Sequence, residues 1–250
     1  SSNCKEGYGY TVATEMYSAG IDRLTHQPLS FSVSETTEGV HIHIIDAELM
    51  GKGEKEKKDL YIEGVQNNGI INHYEYIINS EGTIEIRHVL KPEGKMPLWF
   101  PRIGLTLTVS DALDQVKWYG RGPQENYPDR KTGYPMGIYA STVQAMYEPY
   151  LMPQDYGLRT DVRWLQLTTD KGIGLQFKMN EWFNFNIYPY STDNLTKAMY
   201  TYQLQKQKGM TLNLDYATTG VGCTARGVFG AYKAMPQEYR RTISIRPMMK

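Results

Sequence analysis

Glu125 and Asp129 stand four residues apart in the stretch Trp118-Tyr119-Gly120-Arg121-Gly122-Pro123-Gln124-Glu125-Asn126-Tyr127-Pro128-Asp129-Arg130. Two carboxylates at such spacing could act as the acid and nucleophile that glycosidases set across a scissile bond. Arg121 and Arg130 lie beside them, and the plainer reading is ion pairing that braces a loop. Gly120, Gly122, Pro123 and Pro128 exclude a regular strand or helix here. Gln124, Glu125, Asn126, Asp129 and Arg130 are therefore displayed from a shaped loop, the kind of element where binding residues concentrate.

Other groups carry chemistry by type. Arg159, Asp161 and Arg163 alternate on an emerging strand, so they should share a face and form a charge network; a structural salt-bridge ladder is the simpler reading than catalysis. His41 and His43 share one strand face and could bind a metal, but two imidazoles need a third ligand and an outer set of hydrogen-bond partners, and solvent-facing strand polarity is the simpler reading. Between Leu212 and Gly230 a strand runs into a loop with four glycines at 220, 222, 227 and 230, which lets backbone approach a ligand closely. It lacks the Lys-Ser/Thr ending of a phosphate loop. No Ser/His/Asp order, nucleophile elbow or zinc spacing stands out.

The elements that must position these residues are strands. Val40, Ile42 and Ile44 oppose His41 and His43, and Leu105, Leu107 and Val109 oppose Thr106 and Thr108, the period of half-wet strands. Hairpins are expected around Ser80-Glu81-Gly82 and Asp170-Lys171-Gly172, with later strands over 211–215 and 242–246. One short helix is expected over 193–198, capped by Ser191 or Thr192. The charged run 51–59 reads as a solvated loop, and 92–101 separates two β-rich portions. At 250 residues and 40% hydrophobic content the chain can form one domain, a large antiparallel β-sandwich.

Lys and Arg total 27 and Asp and Glu total 27, so neither nucleic acid nor an anionic membrane is an expected partner. Cys4 and Cys223 are too few for a disulfide framework or zinc site. The 20 tyrosines favour strands and supply rings with a polar edge, which suit sugars and ordinary sandwich surfaces alike.

Several segments, in order, resemble the C-terminal domain of lac-type β-galactosidases of glycoside hydrolase family 2. They are Pro101 to Leu105, Trp118, the Gly122 to Arg130 string, Met146 to Tyr150, Pro153-Gln154, Arg159 to Trp164, Leu212 to Asp215 and Gly220-Val221-Gly222. The resemblance spans about 97–246; residues 1–96 match in β-rich character only. It implies an all-β, galactose-mutarotase-like supersandwich, with 1–250 forming one domain, a fragment of a longer chain that starts after the domain has begun. It further implies that catalytic glutamates and magnesium belong to a separate barrel, so no catalytic residue, cofactor or metal is assigned within this chain. The implied partners are a β-galactoside or other glycan and the remaining domains of the parent; self-association is open. The compartment, cytoplasmic or periplasmic, depends on upstream sequence.

One departure bears on substrate. The late loop of lac-type enzymes ends in Gly-Gly-Asp-Asp-Ser-Trp, whose Trp is a platform for the aglycone sugar. Here the aligned residues are Gly222-Cys223-Thr224-Ala225-Arg226-Gly227. Gly227 cannot stack, so a glycan other than lactose is expected, with Thr224, Arg226 and Gly227 lining the cleft and Arg226 offering polar contacts. Two other readings stand beside this one: a non-catalytic carbohydrate-binding or scaffold module, and a free-standing aldose epimerase using a His and a Glu, for which His88 and Glu125 are available by type.

Overall fold

A computed structural model describes residues 16, 19–51, 68–222 and 227–249. Cys4, Cys223, Thr224, Arg226 and all but Gly51 of the charged run lie outside the described residues. The chain divides into two compact units, and the division between Phe100 and Pro101 falls at the end of the segment that separates the β-rich portions in sequence.

In the earlier unit, β1 (Thr25–Thr36), β2 (Gly39–Leu49), β3 (Gly69–Ile78) and β4 (Ile84–Glu93) form an antiparallel meander. The β3–β4 turn is held by Asn79, whose side-chain oxygen accepts from the amides of Glu81 and Thr83, both at 3.0 Å. Every residue of β1 is exposed, including Leu29, Phe31 and Val33. In β2 both alternating sets are largely half-buried, so neither face is simply wet, as period-two alternation had suggested. Residues 235–244 also belong to this unit.

The later unit contains β5 (Arg102–Val109), β6 (Gln115–Arg121), β7 (Met136–Thr142), β8 (Arg159–Thr168), β9 (Gly174–Tyr188) and β10 (Met210–Thr218). Antiparallel pairing places them in the order β5-β10-β9-β8-β6-β7. Val116, Trp118, Val162, Leu165, Leu167, Phe177, Phe185, Leu212 and Leu214 fill its core. Such burial of large apolar side chains is the main stabilising term of the unit. The antiparallel pairing within each unit agrees with the all-β class expected. The helix α1 covers Thr192–Lys197, with the Ser191 hydroxyl accepting from the Asn194 amide at 3.0 Å, an N-cap bond. A last strand, β11 (Tyr239–Met248), encloses the expected 242–246.

Candidate functional site: the braced loop 122–130

Loop 122–130 leaves β6 through a cis Gly122-Pro123 peptide and folds back through a bridge between Tyr127 and Arg130. Gln124 is exposed, whereas Glu125, Asn126 and Tyr127 are buried. A buried carboxylate is costly unless its lone pairs are used. Those of Glu125 are. Its Oε2 accepts from the Gly157 amide at 2.8 Å and from the Tyr127 hydroxyl at 3.0 Å. Its Oε1 accepts from the Tyr150 hydroxyl and from Arg130 Nη2, the latter at 3.2 Å. Burial, followed by the hydrogen bond to Glu125, pushes the Tyr150 phenol up to about 12. Burial, then the charge of Glu125, also raises Tyr127. Both phenols thus remain protonated donors. Gly157 has φ +76°, a left-handed conformation that glycine adopts without strain and that aims its amide at the carboxylate.

Asn126 joins the loop to β8. Its side-chain oxygen accepts from the Thr160 amide at 3.1 Å and from the Thr160 hydroxyl, while its own backbone amide donates to the Leu158 carbonyl at 2.8 Å. Arg159 is buried beneath, donating to the carbonyls of Gly157 at 2.8 Å and Pro123 at 3.0 Å. Its guanidinium carbon lies 5.5 Å from the Trp118 ring centroid. Burial lowers Arg159 to about 10, against the opposing pull of Glu148 and Glu125.

The charge ladder expected over Arg159, Asp161 and Arg163 does not form. Register shifts on either side of Val162 and a positive φ of 56° at Asp161 mark an irregularity in β8, which breaks the alternation that would have placed the three on one face. Asp161 pairs instead with Arg121 of β6 and, at 2.8 Å, with Lys131. Burial works to raise its carboxyl, but those two cations outweigh it and hold it below the usual carboxylate range. Arg163 donates to the Asp161 carbonyl and lies 3.5 Å from the Trp182 ring centroid. A non-glycine residue at positive φ is uncommon, and here two cations hold its side chain in place.

Asp129 points elsewhere. Its two carboxylate oxygens accept from the amides of Val221 at 3.0 Å and Gly222 at 2.7 Å, tying loop 122–130 to the start of the late glycine-rich loop. A Cβ on Gly220 would sit 2.3 Å from the Asp129 carboxyl carbon, so only glycine admits this contact. The far end of the late loop is held where Gly220 N donates to the Tyr232 carbonyl and Ala234 N to the Thr219 hydroxyl, both at 2.9 Å. Among the residues assigned to the cleft, Gly227 is exposed, with open space where a Cβ would be; Thr224 and Arg226 lie outside the described residues. Sequence reasoning passed over Phe229, which presents a ring 70% exposed two positions further on.

It also passed over a buried polar network on β5, β9 and β10. Arg102 donates to Asp215 at 2.8 Å and to the Asn186 side chain at 3.3 Å; Asn186 in turn donates to Asp155 at 2.9 Å. Asn213 bridges Asn186 at 2.8 Å and the Tyr188 hydroxyl at 3.0 Å. Burial pushes Asp215 up to about 6 even with Arg102 beside it. The only hint in sequence is polar residues on alternate positions of an otherwise apolar β10, where burial turns out to cover both faces. The epimerase pair is not displayed for acid-base work: His88 is buried, stacked 4.2 Å from Tyr74 and 3.0 Å from the Asn72 oxygen, and Glu125 is fully engaged in its loop.

Comparison with known proteins gives this antiparallel β-domain, with its loop clamped by its own carboxylates, a family. The model of the β-galactosidase small chain matches residues 13–245, and the chain belongs to that family. A β-galactosidase of Priestia megaterium is 38% identical over 147 residues, covering 59% of this chain and 14% of that enzyme. One of Vibrio cholerae is 31% identical over 207 residues, covering 82% of this chain and 18% of that enzyme. The chain thus spans less than a fifth of these relatives. A GalM/aldose epimerase homologue from C. elegans aligns over 88% of this chain and 69% of its own, at TM-score 0.41 and 11% identity, a likeness that carries no functional argument.

Proposed function

We propose that this small-chain domain serves a retaining β-galactosidase by walling its cleft and supporting its assembly, while the catalytic glutamates and magnesium reside elsewhere in the parent protein. The observation that carries this reading is the engagement of both motif carboxylates. Glu125 accepts from four donors and Asp129 from two backbone amides, so the pair serves loop architecture rather than the paired acid and nucleophile of a glycosidase. The loops they join then present Gly227 and Phe229 to a terminal β-galactoside held against the rest of the enzyme.

A second reading, an independent glycan-binding module, is favoured by one feature: Tyr200 and Tyr202 stack 5.4 Å apart with planes 7° from parallel, and are 55% and 79% exposed. Such a pair is a ready sugar platform. The two readings separate in one experiment. Hydrolysis of a chromogenic β-galactoside is measured for this chain, for the remainder of the parent, and for both mixed; activity confined to the mixture supports the cleft role. Glycan binding by this chain alone, abolished by Tyr202→Ala, together with no gain on mixing, supports the module instead.

A further inference from the structure

We infer that the earlier unit carries a binding site for a zinc-class divalent cation on the β2–β3 face, formed by His41, His43 and Glu75. The pair of histidines wanted a third ligand in sequence, and the antiparallel register supplies it. His43 is directly opposite Glu75, Glu75 is opposite Arg87 on β4, and His41 lies two residues along the same face of β2. His41 Nδ1 is 3.5 Å and His43 Nε2 4.0 Å from the same oxygen, Glu75 Oε1. One donor atom from each residue falls within 4.8 Å of the other two. Tetrahedral zinc with bonds of about 2.0–2.1 Å requires ligand atoms about 3.4 Å apart, so side-chain rotations that shift the donor atoms by about an ångström close the site.

Neighbouring groups position the ligands. His41 Nε2 lies 3.0 Å from the Thr36 hydroxyl. That hydroxyl is placed 3.5 Å from the Gly39 carbonyl, to which it donates. The hydroxyl also accepts from the Glu38 amide at 3.1 Å. In the tautomer where His41 Nε2–H donates to its remaining lone pair, Nδ1 is the metal-facing lone pair, the arrangement a second-sphere partner favours in ligating histidines. Glu75 is fixed from the other side. Its Oε2 accepts from Arg87 Nη1 at 3.1 Å, while Arg87 Nε is drawn to Glu85 at 2.8 Å, leaving Oε1 for the cation. His43 is half exposed, so the fourth position faces solvent and takes water or a donor from a partner molecule. Two imidazoles and one carboxylate suit zinc and its first-row neighbours better than magnesium or calcium, which prefer oxygen. The bound ion would pin β2 to β3 next to β1, all of whose residues are exposed.

A second cluster, His26 with Asp46 and Glu48, provides an internal control. His26 is 65% exposed there, with both of its charged neighbours contacting the same nitrogen, Nδ1, at 3.2 and 3.8 Å. The test is titration of the metal-free, tag-free chain with zinc by calorimetry, with circular dichroism to check folding of each variant. The expected result is one saturable zinc per chain, weakened at least tenfold by His43→Ala and by Glu75→Gln and unchanged by His26→Ala. Thr36→Val touches no metal, yet should weaken binding about tenfold by releasing the His41 ring. No saturable binding at millimolar zinc, or binding that survives His43→Ala or is lost in His26→Ala, overturns the assignment.

Discussion

Replacing Glu125 by Ala and by Gln separates two kinds of loss at one carboxylate. With Ala, the Gly157 amide and the Tyr127 hydroxyl, both bound to Oε2, lose their acceptor inside a buried pocket. Each orphaned donor costs about 1–3 kcal/mol, so Glu125→Ala should destabilise the later unit by about 4 kcal/mol. Gln retains one oxygen, and the geometry dictates where it goes. Only the Oε2 position faces a backbone amide that cannot reverse its role, so the amide oxygen occupies it and the NH2 takes the Oε1 position. There the Tyr150 hydroxyl can turn to accept, and half-exposed Arg130 can turn to water. Glu125→Gln should therefore cost only about 1–2 kcal/mol. Urea unfolding followed by tryptophan fluorescence measures both, because Trp118, Trp164 and Trp182 lie in this unit. A loss under about 1 kcal/mol for Ala, or equal losses for Ala and Gln, would refute the bracing role.

Three further outcomes follow from the same geometry. Asp129→Asn removes one charge-assisted acceptor and Gly220→Ala pushes the carboxylate away; both should speed hydrogen exchange at the Val221 and Gly222 amides while leaving the exchange of core strands unchanged, and slow exchange in either variant would contradict the tie. Stability against pH should carry two opposing slopes. Burial lowers His88 to about 4 from an ordinary 6.5, so its contribution, about 3 kcal/mol, is present above 6.5 and lost as pH falls through 4. Asp215, raised to about 6 from 3.8, contributes stability that is full below 3.8 and lost as pH rises through 6. His88→Leu should therefore leave a profile that falls from pH 4 to 6.5, and Asp215→Asn one that rises, when unfolding is measured across that range; superimposable profiles would argue against both shifts. If the proposed cleft role holds and Phe229 stacks on the aglycone, Phe229→Ala in the assembled enzyme should raise KM for a disaccharide galactoside about fivefold with kcat preserved, as loss of about 1 kcal/mol of stacking requires; an unchanged KM would count against that contact.

The hairpins were legible because their signals are local. Asp170-Lys171-Gly172 joins β8 to β9, and the Ser191 cap starts α1, each within a few residues of its cue. The bracing of Glu125 was partly legible, since Arg130 is five residues away, but Gly157 is 32 residues away and its amide leaves no mark in the sequence. The irregularity around Asp161 defeated period counting, because one extra residue reverses the face of all that follow. The Arg102 network was hidden for a different reason. Its members are separated by up to 113 residues, and a polar residue in a strand reads as solvent-facing until both faces of the sheet are known to be covered. Glu75 became a candidate ligand only once the register of β2 against β3 placed it beside two histidines.

If the small-chain domain completes a cleft without performing the chemistry, mixing it with the rest of the parent protein is the most direct test. Rates of chromogenic β-galactoside hydrolysis should be at background for this chain alone and rise when the rest of the parent protein is added. They should fall again when the added small chain carries Glu125→Ala. Turnover by this chain alone, or full activity of the remainder without it, would contradict the account.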